Sequence, residues 1–283
     1  MSQPPAKTVA TETTATESTA AKTLLAVDID GTLLTWDGEL YPSAERAVRG
    51  ALTTPSIEFV LATGRSLHST LSVARRIGLR RGLAVCSNGS VTIQLDPDLP
   101  EGWELLEVVT FDAAAAVASI LRHLPQARMA AEDLGRGFLV TAEFPAGELD
   151  GQVRVVSPGE LTARPVTRLI LRDTELTLDE LREVVEETKL PDVTYAVGWT
   201  GWVDLNPPGI SKASALEKVR QRLGIGAHRT VAIGDGGNDI SMLEWAGRGV
   251  AMGGSRWDVV AAADEVTGTI DRDGLAQVID SLL

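Results

Sequence analysis

The sequence predicts an α/β fold, a doubly wound parallel sheet that carries an inserted α+β unit. Short and almost continuous apolar runs at residues 24–27, 57–62, 82–86 and 230–233 are typical of parallel strands that helices cover on both faces. Helical patterns alternate with these runs, which indicates βαβ units. A third observation predicts the insertion, because strand-like pieces crowd around two helical segments after the third run.

The core elements are predicted from this alternation. After the strand Ile57–Ala62, a helix is predicted from about Ser66 to Ile77, and the strand Gly82–Cys86 ends on the turn Ser87–Gly89. Beyond the pair Pro207 and Pro208, the predicted elements are a helix from Ser211 to about Leu223, the strand Thr230–Ile233, a helix from about Asn238 to Ala246, a short strand near Val250 and two more helices. The predicted core therefore comprises residues 23–89 and 207–283.

Residues 90–206 are predicted to form the inserted α+β domain. Its predicted helices are Asp112–Leu124 and Thr177–Thr188, the second with apolar residues on one face and acidic residues on the other. Its predicted strands are Val91–Leu95, Trp103–Phe111, Phe138–Phe144, Val166–Leu171 and Val193–Trp199. Trp199 and Trp202 lie on adjacent segments, and packing in a core is favoured for both over a place in a ligand pocket.

Composition limits the classes of protein and partner. A chain of 283 residues with 44% apolar residues is long enough to bury a substantial core in one large domain or two ordinary ones. Its 39 acidic and 26 basic residues give a net charge of −13, which argues against nucleic acid or an anionic membrane as the main partner. No run of about 18 apolar residues occurs, so no membrane-spanning helix is predicted.

The first residues of the chain and its cysteine content indicate where in the cell the protein is found. Residues 1–22 are rich in Thr and Ala and lack the apolar region of a signal peptide, so a disordered tail is predicted there. The single cysteine, Cys86, excludes an intramolecular disulfide and a cysteine-based metal site. Both observations favour a cytoplasmic location.

The stretch Leu24–Leu34 ends a predicted strand with two aspartates and a glycine turn. Residues two apart in an extended strand point to the same side, so Asp28 and Asp30 are predicted to lie together at the carboxyl end of this strand. Two carboxylates ~4 Å apart repel by roughly 4 kcal/mol at an effective dielectric of ~20, and a bound cation would relieve this repulsion. A strand end with two solvated aspartates explains the same pattern, and this stretch alone leaves both interpretations open.

Other polar motifs also stand where predicted strands end. Thr63 and Gly64 follow the second strand, residues 234–239 (GDGGND) follow the strand Thr230–Ile233, and Lys212 begins the helix after the proline pair. Ligands of a doubly wound sheet bind at the carboxyl ends of its strands. Each motif alone is typical of an ordinary loop, a solvated lysine or a helix cap. Together, in this order, they predict a site for Mg²⁺ and a phosphate group.

These ordered motifs resemble those of the haloacid dehalogenase (HAD) superfamily phosphatases, of the Cof-like type with a large α/β cap inserted after the third core strand (subclass IIB). The likeness covers about residues 23–283, where DIDGT, Thr63, Lys212 and GDGGND match the first to fourth motifs of the family. The segments SNG at Ser87–Gly89 and NPPGISK at Asn206–Lys212 resemble the places where such caps leave and rejoin the core. The resemblance implies a Rossmann-like core and phosphatase activity.

The resemblance also implies a role for each matching residue. Asp28 is expected to be the nucleophile that forms an aspartyl-phosphate, and Asp30 the general acid and base. Thr63, Gly64 and Lys212 are expected to bind the substrate phosphate. The expected Mg²⁺ ligands and the residues that support them are Asp28, Asp30 through its backbone carbonyl, Asp235, Asn238 and Asp239.

The predicted function is Mg²⁺-dependent hydrolysis of small phosphomonoesters of the sugar or polyol class. The predicted partner is a small phosphorylated metabolite, and the sequence makes no prediction about oligomeric state. One alternative is a phosphomutase, in which the aspartyl-phosphate is handed to a sugar instead of water. A more distant alternative is a receiver-like signalling module phosphorylated on Asp28, against which Asp30 argues because an acid/base at that position promotes turnover of the phosphoaspartate. Arg65 is equally well interpreted as a substrate contact or as an exposed, ion-paired residue.

Overall fold

The computed structural model describes residues 22–188, 193–197 and 202–283, so the predicted tail up to residue 21 and Trp199 lie outside the described residues. Within these ranges the strands are β1 (Thr23–Val27), β2 (Ile57–Ala62), β3 (Gly82–Cys86), β4 (Val91–Leu95), β5 (Trp103–Val108), β6 (Arg128–Asp133), β7 (Gly137–Val140), β8 (Gln152–Val155), β9 (Leu169–Arg172), β10 (Thr194–Val197), β11 (Trp202–Asn206), β12 (Thr230–Gly234), β13 (Arg248–Ala251) and β14 (Glu265–Val266).

The helices of the same described ranges are α1 (Pro42–Thr53), α2 (Leu67–Ile77), α3 (Ala114–His123), α4 (Pro158–Leu161), α5 (Leu178–Glu187), α6 (Lys212–Arg222), α7 (Ile240–Trp245), α8 (Trp257–Ala261) and α9 (Gly274–Asp280). Among these described helices, none combines the length and the apolar character that crossing a bilayer requires.

In the described part of the chain, eight strands form the first sheet in the order β14-β13-β12-β1-β2-β3-β4-β5. The strands from β14 to β3 run parallel, and β1 pairs with β12 on one side and β2 on the other. Leu25 and Val27 of β1 are buried in an apolar cluster with α1, α2 and α9, whereas Leu24 and Ala26 are buried on the opposite face with α6 and α7. The predicted doubly wound parallel sheet is therefore confirmed.

A second sheet has six strands within the described ranges, in the order β10-β11-β9-β6-β7-β8. Its outer face packs against α3 and α5 through Ile120, Leu181 and other apolar side chains. Its inner face carries a small apolar cluster, in which Phe138 and Ile170 pack with Trp202. We call this sheet, together with α3, α4 and α5, the cap.

Two strands lie in a different sheet from the one predicted. The sequence predicts β4 and β5 in the insertion, but β4 pairs antiparallel with β3, and β5 pairs antiparallel with β4. The reason is the tight turn Ser87–Gly89, which returns the chain directly along β3 so that β4 extends the first sheet. The cap sheet starts only at β6, and the sequence does not predict its strands β6, β8 and β11. We therefore propose that the insertion begins after β5 and not at residue 90.

The turn after β3 places its residues against the start of α6. Ser87, Asn88 and Gly89 all have positive φ angles, 49°, 55° and 103°. A side chain at Gly89 would lie 2.2 Å from the carbonyl oxygen of Ser211, so the close approach requires glycine. Cys86, just before this turn, is fully buried, and burial raises the pKa of its thiol to about 12.

Candidate active site

The carboxyl ends of β1, β2 and β12 bring the predicted site residues to one edge of the first sheet. The backbone N–H of Asp28 donates to the carbonyl of Ile233 at the end of β12, at 3.0 Å. The backbone N–H of Thr63 donates to the carbonyl of Val85 in β3, at 2.9 Å. Lys212, the first residue of α6, reaches the same edge from the helix that follows the cap. Parallel strands thus gather residues that are far apart in the chain.

The side chain of Lys212 is fully buried and joins two of these carboxylates. Its Nζ lies 2.5 Å from Oδ1 of Asp28 and 2.6 Å from Oδ1 of Asp239. Burial alone lowers the pKa of a lysine, but the carboxylates of Asp239 and Asp28 outweigh it and raise the pKa of Lys212 above its usual value. Lys212 therefore carries a permanent positive charge into the interior of the site.

Three buried aspartates, Asp28, Asp235 and Asp239, form a cluster around this charge. Each offers a carboxylate oxygen, and these oxygens all lie within 4.8 Å of one another. Oδ1 of Asp235 accepts a hydrogen bond from the hydroxyl of Thr32, at 2.8 Å. Oδ2 of Asp239 accepts from the backbone N–H groups of Asp235 and Gly236, at 3.0 and 2.8 Å. These bonds fix the positions of the carboxylates before any ligand binds.

The carboxylate cluster carries more negative charge than Lys212 balances. Burial and, next to it, the charge of Asp239 raise the pKa of Asp28 well above its usual value. The same two causes raise the pKa of Asp235 to about 7. Hard carboxylate oxygens at this spacing are the donor set that a divalent cation such as Mg²⁺ prefers, and such a cation would relieve their repulsion. The residues present therefore fit a divalent metal ion.

Gly31 is required by the close packing of the β1 turn against the cluster. Its φ angle is +82°, and a Cβ atom there would lie 2.3 Å from Oδ2 of Asp235. Any side chain at this position would displace a carboxylate of the cluster. The glycine of the DIDGT motif therefore keeps space for Asp235.

Asp30 lies next to the cluster but is not one of its three side chains. Arg65 donates to both of its oxygens, with Nε 2.9 Å from Oδ2 and Nη2 2.6 Å from Oδ1. This two-point contact fixes the plane of the carboxylate. Arg65 is therefore ion-paired and only partly buried, and it also lines the same cavity as Asp28 and Asp30, so a contact with substrate stays open.

Thr63, Gly64 and Asn238 complete the set of predicted site residues. The hydroxyl of Thr63 accepts from the backbone N–H of Arg65 at 3.0 Å, which holds it in the turn before α2. The amide of Asn238 donates to Oδ1 of Asn88 at 3.0 Å, so these two loops are joined across the site. The structure therefore brings all of the predicted site residues to the same edge of the first sheet.

A cavity of about 500 Å³ separates this edge of the first sheet from the inner face of the cap. Asp28, Asp30 and Asn238 contribute to its lower wall, which we call the floor. Phe138 and Trp202 contribute to its upper wall, which we call the roof. Trp202, for which packing in a core was favoured, thus packs with the inner apolar cluster and also lines the cavity.

Three cap residues near the cavity were not predicted. Glu132 accepts hydrogen bonds from the backbone N–H of Leu67 at the start of α2 and from the hydroxyl of Ser87. Arg168 and Asp204 line the roof. No motif marks these residues, but each is a charged residue within or beside an apolar strand, and that is the signal that identifies a buried polar group.

Comparisons with known proteins agree with the geometry. A family model for haloacid dehalogenase-like hydrolases matches residues 25–130 and 148–279. Phosphatase YwpJ of Bacillus subtilis is 28% identical to the chain over 292 residues, with 92% of this chain and 99% of that protein covered. The 5-amino-6-(5-phospho-D-ribitylamino)uracil phosphatase YcsE of the same species is 28% identical, with 90% and 94% covered. The solved structure of a haloacid dehalogenase-like hydrolase from B. subtilis has a TM-score of 0.77 at 26% identity, with 92% of this chain and 100% of that chain covered.

Proposed function

The chain belongs to the haloacid dehalogenase-like hydrolase family, and from this premise we propose that it is a Mg²⁺-dependent phosphatase of small phosphomonoesters. The observation that carries the proposal is the buried contact of Lys212 with both Asp28 and Asp239, directly beside a cavity that can admit a substrate. A buried cation between carboxylates stabilises the charge that develops when a phosphoryl group is transferred.

We propose that Asp28 is the nucleophile. One of its carboxylate oxygens attacks phosphorus while the bond from phosphorus to the leaving oxygen breaks, which gives an aspartyl-phosphate. Asp30 donates a proton to the leaving oxygen and then takes a proton from the water that attacks the same phosphorus. This second attack releases phosphate and restores the Asp28 carboxylate. Arg65 fixes the plane of the Asp30 carboxyl group, and the oxygen that carries the transferred proton first has to leave its hydrogen bond to Arg65.

Phosphate binding is assigned to Thr63, Gly64 and Lys212. The Thr63 hydroxyl and the backbone of Gly64 stand in the turn between β2 and α2, which ends at the cavity. The Nζ of Lys212, at 2.5 Å from Asp28, offsets the negative charge of the phosphoryl oxygens. These groups hold phosphorus within reach of the nucleophile.

The metal ligands assigned are the Asp28 carboxylate, the backbone carbonyl of Asp30 and the Asp235 carboxylate. Asn238 and Asp239 support them, since Asp239 already accepts bonds from Lys212 and from two backbone N–H groups. When bound, Mg²⁺ supplies positive charge that offsets the carboxylates and the phosphoryl oxygens.

The substrate class proposed is a sugar or polyol phosphate. One relative carries a name that describes a phosphate ester of a ribitylamino compound, which supports a polyol leaving group. The roof offers both aromatic and polar side chains, a combination suited to hydroxyl-bearing carbon chains. A cytoplasmic location is part of the proposal, in keeping with a single, buried cysteine.

A screen of phosphorylated metabolites with and without Mg²⁺ tests the proposed function. Sugars, polyols, nucleotides and cofactors are each offered to the wild type and to Asp28→Asn, and released phosphate is measured. We expect Mg²⁺-dependent release from sugar or polyol phosphates by the wild type and a rate lower by at least about 10³-fold in the folded variant. Release at near wild-type rate by Asp28→Asn, or no Mg²⁺-dependent release from any compound, contradicts the proposal.

A further inference from the structure

Two consecutive hydrogen bonds connect a cap residue with the loop that follows β12. Nδ2 of Asn88 donates to Oδ2 of Asp204 in β11, at 3.2 Å, and Nδ2 of Asn238 donates to Oδ1 of Asn88, at 3.0 Å. Asp204 and Asn88 are 5% and 3% exposed, so water has little access to them. The connection therefore runs from the cap, through the turn after β3, to the residue that directly precedes Asp239 of the carboxylate cluster.

The middle residue of this connection is held firmly in place. The backbone N–H of Asn88 donates to the carbonyl of Thr63 at 3.0 Å, and its φ angle of 55° is one that asparagine adopts more readily than most residues. A Cβ atom added to Gly64 would lie 3.0 Å from Oδ1 of Asn88 and 3.2 Å from Nδ2 of Asn238. Glycine at position 64 therefore leaves room for the two amides to meet.

The chemistry of Asp204 fixes the direction of both hydrogen bonds. Burial raises the pKa of Asp204, but the guanidinium group of Arg168, 3.7 Å from its Oδ1, and the hydrogen bond from Asn88 favour the carboxylate. A carboxylate has no proton to donate, so Asn88 turns its NH₂ group toward Asp204 and its oxygen toward Asn238. Asn238 must then use its own NH₂ group for this contact, which leaves its amide oxygen for another partner.

The amide oxygen of Asn238 is the kind of atom that a hard cation requires. Mg²⁺ binds oxygen ligands, and an amide NH₂ group cannot replace them. Asn238 lies on the floor of the cavity, and among the described residues none donates a hydrogen bond to its oxygen. If both amides were reversed, Asn88 would bond to that oxygen, and the NH₂ group of Asn238 would take its place.

We propose that Asp204 of the cap orients the amide of Asn238 through Asn88, so that Asn238 presents its oxygen to the metal ion or to a water molecule bound to it. This inference rests on the proposed function, which assigns Asn238 to the support of the metal ligands. Asp204 is a positioning residue, since it acts through two other side chains. Because Asp204 belongs to the cap, the metal site has its full affinity only while the cap is seated on the core.

The isosteric variant Asp204→Asn tests the direction of the hydrogen bonds. Arg168 attracts the new amide oxygen, so the new NH₂ group faces Asn88 and both hydrogen bonds reverse. Calorimetric titration of Mg²⁺ into protein without substrate measures the dissociation constant, which we expect to rise at least about tenfold. Glu183→Gln, which removes the same charge from an exposed position on α5, is the matched control and should keep the wild-type value. A folded Asp204→Asn with wild-type Mg²⁺ affinity overturns the inference.

Moving the carboxylate from position 204 to position 88 should restore the affinity. In the double variant Asp204→Asn/Asn88→Asp, the amide at position 204 donates to the carboxylate at position 88, which also accepts from the NH₂ group of Asn238. The amide of Asn238 then has its native direction, and the net charge is that of the wild type. We expect a Mg²⁺ dissociation constant within about threefold of the wild-type value. A folded double variant that binds Mg²⁺ no more tightly than Asp204→Asn overturns the inference.

The background variant Asn238→Ala separates orientation of the amide from simple attraction of charges. A carboxylate in the cap attracts a cation whether or not an amide lies between them. In Asn238→Ala there is no amide to orient, so adding Asp204→Asn should cause no further loss of Mg²⁺ affinity. If the added change weakens binding as much as it does in the wild type, charge alone explains the effect and the inference is overturned.

Asn88→Gly covers the case in which Asp204→Asn does not fold. Glycine accepts the positive φ angle of this position, and the change removes the amide between Asp204 and Asn238. The Mg²⁺ dissociation constant should rise at least about threefold, because the freed amide of Asn238 must lose rotational freedom on binding. Wild-type affinity overturns the inference.

The wild type reports on the proposed function separately. If the wild type binds no Mg²⁺, the proposed function and the inference fail together. If the wild type and all of these variants bind Mg²⁺ equally, the inference alone fails.

Discussion

The floor and the roof of the cavity differ in how completely their polar groups are paired. On the floor, Lys212 binds Asp28 and Asp239, and Arg65 binds Asp30 with two hydrogen bonds. On the roof, Arg168 and Asp204 each keep an atom without a partner among the described residues. The difference teaches that the charges of the floor hold one another in fixed positions, whereas the charged pair of the roof leaves two buried polar atoms without a partner.

The largest effect is expected on the floor, from Lys212→Met. Loss of the ammonium group leaves Asp28 and Asp239 as neighbouring buried carboxylates, and breaking a buried ion pair of this kind costs about 3–5 kcal/mol. We expect the free energy of unfolding, from urea titration, to fall by that amount and phosphatase turnover to fall by at least about 10²-fold.

Lys218→Met is the matched control for this change. Lys218 lies on the same helix, its side chain is 52% exposed, and it pairs with Glu107 at the surface. Exposed ion pairs contribute about 0–1 kcal/mol, so little change is expected in stability or turnover. If both variants lost stability equally, the buried pairing of Lys212 would not be what stabilises the floor.

The charge of the floor also predicts how stability varies with pH in metal-free protein. Burial, followed by the charge of Asp239, raises the pKa of Asp235 to about 7 from an ordinary value of 3.8. A carboxyl with a raised pKa in the folded state binds its proton more tightly when folded. Its contribution to stability is therefore fully present below the unfolded value of about 4 and is lost as the pH rises through about 7.

Thermal unfolding in chelator measures this dependence. We expect the melting temperature of the metal-free protein to fall by several degrees between about pH 4 and about pH 7, and Mg²⁺ to remove most of that fall. Asp235→Asn, which lacks the titrating group, should show a weaker dependence on pH. If the melting temperature of the metal-free protein rises across this range, the folded state does not raise the pKa of the floor carboxylates, and the prediction is wrong.

The smallest effect is expected where the cap touches the core, from Glu132→Gln. The Glu132 carboxylate accepts from the backbone N–H of Leu67 at 2.8 Å and from the hydroxyls of Ser87 and Thr167. Its charge also stabilises the N-terminus of α2. We expect the free energy of unfolding to fall by about 1–2 kcal/mol. Glu104→Gln, at an exposed position on β5, is the control and should change the free energy of unfolding by less than about 0.5 kcal/mol. Equal losses in the two variants would show that the hydrogen bonds of Glu132 do not stabilise the protein.

The floor could be predicted from the sequence because of how parallel strands are built. Each buried strand reads as an apolar run, and the first polar residue after it, such as Asp28, Thr63 or Asp235, comes to the same edge of the sheet. The order of these motifs then identified the family. The pairing of Asp30 with Arg65 could not be predicted, since an ion pair depends on side-chain geometry.

The roof could not be predicted, for two physical reasons. The hairpin of β4 and β5 has the same apolar pattern whether it extends the first sheet or belongs to the cap, and for this reason the sequence predicts the boundary at residue 90. No motif marks Arg168, which directly precedes β9, or Asp204 in β11, and only the pairing of β9 with β11 brings them together.

The buried thiol of Cys86, at the end of β3, makes it possible to measure how often this part of the protein opens. Only the thiolate reacts with alkylating reagents, and the thiol of Cys86 is both fully buried and held protonated by a pKa of about 12. Cys86 is the only cysteine in the chain, so every alkylated molecule records the same event. The labelling rate of the native protein therefore measures how often the strand beside the Ser87–Gly89 turn separates from its neighbours.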